Sequence, residues 1–384
     1  MTLSVAPDGP QLGLYIHWPY CARICPYCDF NVYRQRNADV SLVHALCEHM
    51  LHWREATGPR RLASVHFGGG TPSLLKPDEL ETLILTADRL WGFEAGAEIG
   101  LEANPKDMDG FAGMAGAGIN RLSLGVQSFY DDALKSLGRD HDGAMARRAI
   151  DLAQTHFARV SIDMIYARAG QDAAAWEAEL LDAIATGVGH LSPYQLTIES
   201  GTSFARRTAR GEILAAHPDF AADLYELTRD VCAGAGMPAY EISNHARSRA
   251  DQSVHNRIYW EGGDWIGVGP GAHGRLGSAV TGGRIATEAL RRPADYSAAG
   301  MRHTEEALDR DDELAERILM GMRLCDGLDR DALRAATGGD VDADGLARML
   351  AQGLVETDGP RVRLTAQGQL LADGVSGELV PAGI

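Results

Sequence analysis

Six short runs rich in aliphatic and β-branched residues recur at intervals of roughly 30 residues through the first two thirds of the chain. They are Leu12–His17, Ser64–Phe67, Glu98–Leu101, Arg121–Leu124, Val160–Ile165 and His190–Leu196. Between and after them lie stretches of helical periodicity: Val40–Glu55, Asp78–Leu90, Gly110–Ala117, Ala144–His156, Asp172–Thr186 and Phe220–Ala233. Strands alternating with helices predict an α/β fold with a parallel sheet of βαβ units. Six such units fit an open, partial TIM-type barrel, (β/α)6, whose site lies at the C-terminal ends of the strands. Polar residues gather there: His17 after the first run, Gly68–Thr71 after the second, Glu102–Asn104 after the third and Gln127–Ser128 after the fourth. Asp163 stands within the fifth run, and Tyr194 and Gln195 in the sixth.

The loop after the first predicted strand reads Cys21-Ala-Arg-Ile-Cys25-Pro-Tyr-Cys28. Three thiolates this close can converge on one iron–sulfur cluster. A structural zinc site wants four protein ligands, and no fourth cysteine or histidine follows Cys28 in the loop. Three thiolates on a [4Fe–4S] cluster leave one iron open to a small molecule. Taken alone, such cysteines also fit a reading as small buried hydrophobes. Cys47, Cys232 and Cys325 are scattered singly, which is no disulfide framework and suits a reducing compartment. Met1 to Gln11 lacks a basic stretch followed by an apolar core, so no export signal is expected. No apolar run approaches the roughly 18 residues that cross a bilayer, and a cytoplasmic protein is expected. The formal net charge is −17, and Thr304 to Ile384 holds 17 acidic against 8 basic residues. Such a surface repels phosphate backbones and argues against nucleic acid as a partner. Most of these charges read as a solvated face.

Beyond Ala235 the barrel pattern weakens. Pro238–Ile242 and Asp264–Val268 read as further strands, and Arg291 to Asp312 as linker plus helix start. A helix is expected over Leu314–Leu324. Arg330–Thr337 and Asp342–Gln352 read as two short helices, each with an aspartate near its start. Leu354–Thr357 and Arg361–Leu364 flank Asp358-Gly359-Pro360, a hairpin signal. The order predicts an α+β, winged-helix-like end. The expected domains are residues 1–235 as barrel, 236–303 as an extension covering it, and 304–384 as the winged-helix-like domain.

Gly68-Gly69-Gly70-Thr71-Pro72 fits a tight turn or a nest of backbone amides against a ligand. It has neither phosphate-loop spacing. Glu102 and Asp163 fit helix caps and surface carboxylates as well as acids on a barrel rim. Arg139 has the bidentate fork that suits a carboxylate. His255-Asn-Arg-Ile-Tyr259-Trp260 fits a buried, hydrogen-bonded histidine beside core aromatics, the commoner case. Its other reading is a porphyrin contact, with imidazole as axial ligand and flat apolar walls. Gly267 to Gly274 is a glycine-dense loop expected at the barrel mouth, with His273 open to either reading.

CxxxCxxC is the signature of the radical S-adenosylmethionine (SAM) superfamily. Tyr15-Ile-His-Trp-Pro19, the cysteine loop through Cys28-Asp-Phe-Asn31, Gly68–Ser73, Glu102-Ala-Asn-Pro105, Ser123–Phe129 and Tyr194–Glu199 fall in family order. The chain resembles the oxygen-independent coproporphyrinogen III oxidase family of radical SAM proteins from about Leu12 onward, and within it the HemW-like branch of haem chaperones. Two features select the branch. Phe30 stands where the oxidases carry a fourth cysteine, and only 20 residues precede Cys21, where the oxidases have a longer N-terminal extension. The branch also carries HNxxYW, here His255 to Trp260.

The resemblance implies a [4Fe–4S] cluster on Cys21, Cys25 and Cys28, its open iron chelating SAM, which the cluster's electron cleaves to a 5′-deoxyadenosyl radical. It implies SAM contacts at Tyr15, Gly69, Gly70, Thr71, Glu102, Gln127, Arg139 and Asp163. It implies haem as cargo, with His255 as iron ligand, and no assigned catalytic residue. The chain departs from the family after Asp163, where the usual Leu-Pro pair is missing from Met164 to Gln171. The function so implied is to hold haem and deliver it to acceptor haemoproteins, with any membrane contact peripheral and through the acceptor. The alternatives are radical decarboxylation of coproporphyrinogen III and a radical enzyme acting on an unrelated substrate.

Overall fold

Strand β1 (Leu12–Trp18) alternates with period two. Leu12, Leu14, Ile16 and Trp18 enter the main apolar core with Leu42, Leu46 and Met50 of helix α1 (Val40–Thr57), and Gly13, Tyr15 and His17 face the other way. Asp39 starts α1 by accepting from the Leu42 N–H at 3.2 Å, and Gly58 at φ +68° ends it. The computed structural model describes residues 11–35, 39–277 and 283–383. The N-terminal ten residues, on which the expected lack of an export signal rests, lie outside it.

Strands β2 (Leu62–Gly69), β3 (Phe93–Ala103), β4 (Arg121–Gln127), β5 (Arg159–Tyr166) and β6 (His190–Gln195) each run parallel beside the one before. Helices α2 (Pro77–Trp91), α3 (Phe111–Gly116), α4 (Gly143–His156) and α5 (Ala173–Ala185) lie in the connections, and α6 (Pro218–Gly234) follows β6. This is the expected (β/α)6 partial barrel. At its far edge β6 pairs with the two-residue strand His245–Ala246.

The other edge holds more sheet than the sequence announces. Helix α7 (Val254–Trp260) leads into β7 (Asp264–Val268), which pairs in parallel with β1. Strands β8 (His273–Gly277), β9 (Arg284–Ala289) and β10 (His303–Leu308) then add antiparallel, giving eleven strands in one sheet among the described residues. Pro238–Ile242 is not a strand; Ala239 and Glu241 make only isolated bridges, to His245 and Leu324. Arg291 to Asp312 is not mainly linker. It contains the helix Pro293–Ala298 and the edge strand β10, which is polar along most of its length and carries no alternation to detect. The expected glycine loop is a tight β7–β8 connection: a Cβ on Gly267 would sit 2.2 Å from the His273 carbonyl oxygen, and one on Gly269 2.2 Å from that of His17. Residues 236–303 thus largely continue the barrel wall, and the division after 303 cuts β10 at its first residue.

A second apolar core forms around Leu314, Ile318, Leu333, Leu346, Val362 and Leu379. It joins helices α8 (Arg310–Gly321), α9 (Arg330–Thr337) and α10 (Ala343–Ala351) to the hairpin β11 (Val355–Asp358) and β12 (Arg361–Leu364), the winged-helix-like unit expected. Among the described residues no helix is long and apolar enough to cross a membrane.

The barrel interior is polar, and its N-terminal end is plugged. Glu98 is fully buried and pairs with Arg159 at 3.2 Å and Arg121 at 3.7 Å. Its carboxylate also accepts from the backbone N–H groups of Val254 and His255, each at 3.2 Å, which docks the start of α7 inside the barrel. A buried carboxylate is tolerated here because every side of it meets a donor.

Candidate functional site

The opposite, C-terminal end of the barrel holds a cavity of about 460 Å³. Ten of the twelve residues singled out from the sequence line it: Cys21, Cys25, Cys28, Gly69, Gly70, Thr71, Glu102, Gln127, Arg139 and Asp163. They come from the ends of β1 to β5 and from the segments that follow, as the barrel geometry dictates.

The cysteine loop is closed at its base. Tyr33 N–H donates to the Pro19 carbonyl at 2.7 Å and Gln35 N–H to that of Cys21 at 3.1 Å. Within it the Cys28 N–H donates to the Cys25 carbonyl at 3.2 Å, a turn that holds these two thiols on one side. The cysteines are free of disulfides. Burial pushes the Cys21 thiol up and the Cys28 thiol up to about 11. Without a cation these sulfurs favour the protonated form; a metal centre supplies the charge that thiolates need. Arg139 approaches the same loop, its Nη1 donating to the Cys25 sulfur at 3.2 Å and its Nη2 to the Gly125 carbonyl at 3.0 Å and to Asn104.

The glycine run is required by close approach. Gly69 has φ +102°, and a Cβ there would meet the His17 imidazole at 2.4 Å. A Cβ on Gly70 would lie 2.7 Å from the Tyr20 carbonyl oxygen. Glu102 is fixed from two sides: it accepts from the Gly69 N–H at 3.2 Å, and His66 Nε2 lies 3.2 Å from its other oxygen. Asp163 accepts from the Ser123 hydroxyl at 3.0 Å. Burial, and then the Glu102 charge, push the Asp163 carboxyl up to about 7. Gln127 sits at φ +65°, at an irregularity in the β4–β5 pairing. Its Oε1 and the Nε of Arg139 are buried with no hydrogen-bond partner. Two orphaned polar atoms on the cavity wall, one acceptor and one cationic donor, fit a ligand carrying both donors and a carboxylate.

Two predicted residues lie elsewhere. Tyr15 is one layer deeper, its hydroxyl hydrogen-bonded to His17 Nδ1 at 2.9 Å. His255 is only 6 % exposed and sits inside the barrel. Its ring stacks on His66 with centroids 4.2 Å apart and planes 9° from parallel, and meets Tyr259 edge-on at 4.5 Å. Burial pushes it well below the ordinary histidine range, so it is neutral. The expected porphyrin wall is not assembled: Tyr259 packs on Trp265 at 4.4 Å, and Trp260 lies under the Arg323 guanidinium at 4.6 Å. In this arrangement His255 does not line the cavity; it stacks on His66, which meets Glu102 at the cavity wall, and on Tyr15 with centroids 5.7 Å apart.

Sequence reasoning put His17 and Asn104 on the rim without giving them a role, and missed Ser123 and His66 as parts of the site. Strand alternation carries the signal for His66, since Ser64, His66 and Gly68 share the inward face of β2. The atypical segment after Asp163 is held by a buried pair, Arg168 Nη2 to Glu179 at 2.6 Å, with Ala167 at φ +58°. The missing Leu-Pro pair leaves the β5 ladder intact through Tyr166.

Residues 15–181 match the radical SAM superfamily, and residues 308–371 match the HemN C-terminal domain. The chain is 36 % identical to the heme chaperone HemW of Mycobacterium tuberculosis, over 97 % of this chain and 96 % of that protein. It is 39 % identical to the bovine mitochondrial radical S-adenosyl methionine domain-containing protein 1, over 71 % of this chain but only 62 % of that protein. Coproporphyrinogen III oxidase (HemN) from Escherichia coli superposes with a TM-score of 0.81 at 22 % identity, over 97 % of this chain and 90 % of that one, and shares the fold.

Proposed function

The chain belongs to the radical SAM family of oxygen-independent coproporphyrinogen III oxidase-like proteins, on its HemW-like branch, and from that premise we propose that it binds haem and passes it to acceptor haemoproteins. The family implies a [4Fe–4S] cluster and SAM. Cys21, Cys25 and Cys28 would hold the cluster. Gly69, Gly70 and Thr71 would face the amino end of SAM, Arg139 and Gln127 its polar groups, and Glu102 and Asp163 its hydroxyls. When bound together, cluster and SAM supply one-electron reductive cleavage. The chain's own residues fix the thiolates in a closed loop, neutralise charge beside Cys25 through Arg139, and hold Glu102 in place through the Gly69 amide.

The observation that carries the haem reading is the cavity mouth. Phe30 is 61 % exposed, and Ile24 and Tyr194 are 41 % and 43 % exposed, all three lining the cavity. Together they offer apolar and aromatic surface to a flat macrocycle at the position where the oxidases carry a fourth cysteine. The named heme chaperones among the relatives support the same reading. The acceptor's identity sets where delivery occurs; a cytoplasmic protein that meets the membrane only through its acceptor fits this function.

Two experiments test it. Anaerobic, cluster-loaded protein with dithionite, SAM and coproporphyrinogen III is expected to give no vinyl product by fluorescence; turnover with stoichiometric SAM consumption would promote the oxidase reading. Haem titration is expected to give a Soret band, and a shift of that band in His255→Ala would make the imidazole an iron ligand. An unchanged haem spectrum in folded His255→Ala protein with full iron content removes His255 as ligand and leaves haem at the Phe30 rim, where Phe30→Asp should then weaken retention.

A further inference from the structure

We propose a second metal site, of the zinc type, formed by His52, His303 and Glu305 on the side of the barrel where helix α1 meets the edge strand β10. Helix α1 supplies His52, and β10 supplies His303 and Glu305. Each offers one donor atom, and the three donor atoms lie within 4.8 Å of one another. Two imidazoles and a carboxylate, with one position left to water, are a zinc donor set, whereas calcium and magnesium prefer oxygen ligands. Zinc bonds of about 2.0 Å place tetrahedral ligands about 3.3 Å apart, and the exposed Glu305 side chain is free to make that adjustment.

Two further observations point to a ligand. The Nε2 of His52 is buried and has no hydrogen-bond partner, a costly state that a cation relieves. His303 also has an outer shell of the kind that orients metal-binding histidines. Its Nδ1 lies 2.9 Å from His49 Nε2, and His49 Nδ1 lies 2.8 Å from the Tyr296 hydroxyl. Its Nε2 lies 3.1 Å from Glu305 Oε1. With Glu305 ionised and both imidazoles neutral, the metal-free pattern that satisfies all three contacts has Tyr296 donating to His49, His49 to His303 Nδ1, and His303 Nε2–H to Glu305. With metal on His303 Nε2 the relay reverses. His303 Nδ1–H then donates to His49, and His49 Nδ1–H to the Tyr296 oxygen. The three groups hold the same number of protons in both states; loading shifts the two tautomers and turns the Tyr296 O–H away from His49, its oxygen then accepting from His49 and from the Gly269 N–H at 2.9 Å. The Arg302 guanidinium nearby is occupied by Glu48 at 2.6 Å. None of these residues lines the cysteine cavity. A metal here pins the outermost strand of the sheet to the first helix of the barrel, and binding only the folded chain it raises stability by mass action.

The test uses cluster-loaded protein, so that the cysteine triad is occupied. Dialysis against zinc chloride should leave one zinc per chain beyond the cluster iron and raise the melting temperature. His52→Ala and Glu305→Gln should bind zinc at least roughly tenfold more weakly and lose the melting shift, with iron content unchanged. Wild type that takes up no zinc, or variants that hold it as wild type does, would overturn the site and leave the histidines as a hydrogen-bond network.

Discussion

Cys25→Ala protein, reconstituted anaerobically with iron and sulfide, should come off the column colourless. Wild type and Cys47→Ala should come off brown with full iron content. The effect is expected to be all-or-none. Removing one of three thiolates leaves two for a four-iron cluster, and nothing else in the closed loop offers a sulfur. Arg139 sharpens the expectation. It donates to the Cys25 sulfur, so removing that sulfur also strips a buried guanidinium of an acceptor. Cys21→Ala and Cys28→Ala should behave alike. Cys47, Cys232 and Cys325 line no part of the cavity, and equal cluster loss in Cys47→Ala would refute the assignment.

SAM affinity should fall at least about tenfold in Glu102→Ala and again in Asp163→Ala, since a hydrogen bond to a charged group contributes about 1.5–3 kcal/mol. The two differ in their dependence on pH. The Asp163 carboxyl is pushed up to about 7, first by burial and then by the Glu102 charge. Its folded value lies above its unfolded one, so its contribution to stability is fully present below the unfolded value of about 3.9 and is lost as pH rises through 7. Asp163→Asn protein should therefore gain melting temperature relative to wild type between pH 5 and pH 8. SAM binding should run the other way. The carboxylate is the stronger acceptor for a hydroxyl, so wild-type affinity should be higher at pH 8 than at pH 6, and Asp163→Asn should flatten that difference. Calorimetry at both pH values decides; unchanged affinity in both Glu102→Ala and Asp163→Ala would remove the rim site.

The site readable in the sequence was the part whose chemistry is local. Three cysteines within eight residues, three consecutive glycines after a strand, and acids at strand ends keep their meaning wherever the chain runs. The βα rhythm then put them on one rim, because parallel strands of a barrel end together. Ten of twelve predicted residues line one cavity for that reason. The signals that failed depended on distant partners. The edge strand β10 is polar on both faces and looks like linker until β9 pairs with it. His255 stands in a motif of adjacent aromatics, and nothing local says that Glu98, 157 positions away, draws its backbone into the barrel.

The sequence by itself determined the order of the six parallel strands and their helices through the first two thirds of the chain, the cysteine triad and the polar rim, since each follows from spacing along the chain. Only the tertiary structure decided that the barrel is plugged by α7, that His255 is stacked and neutral under His66, and that His49 meets His303 across 254 positions. Periodicity reports which face of an element is buried. It carries no record of what is packed on the other side, and that pairing sets the charge, access and ligands of a histidine.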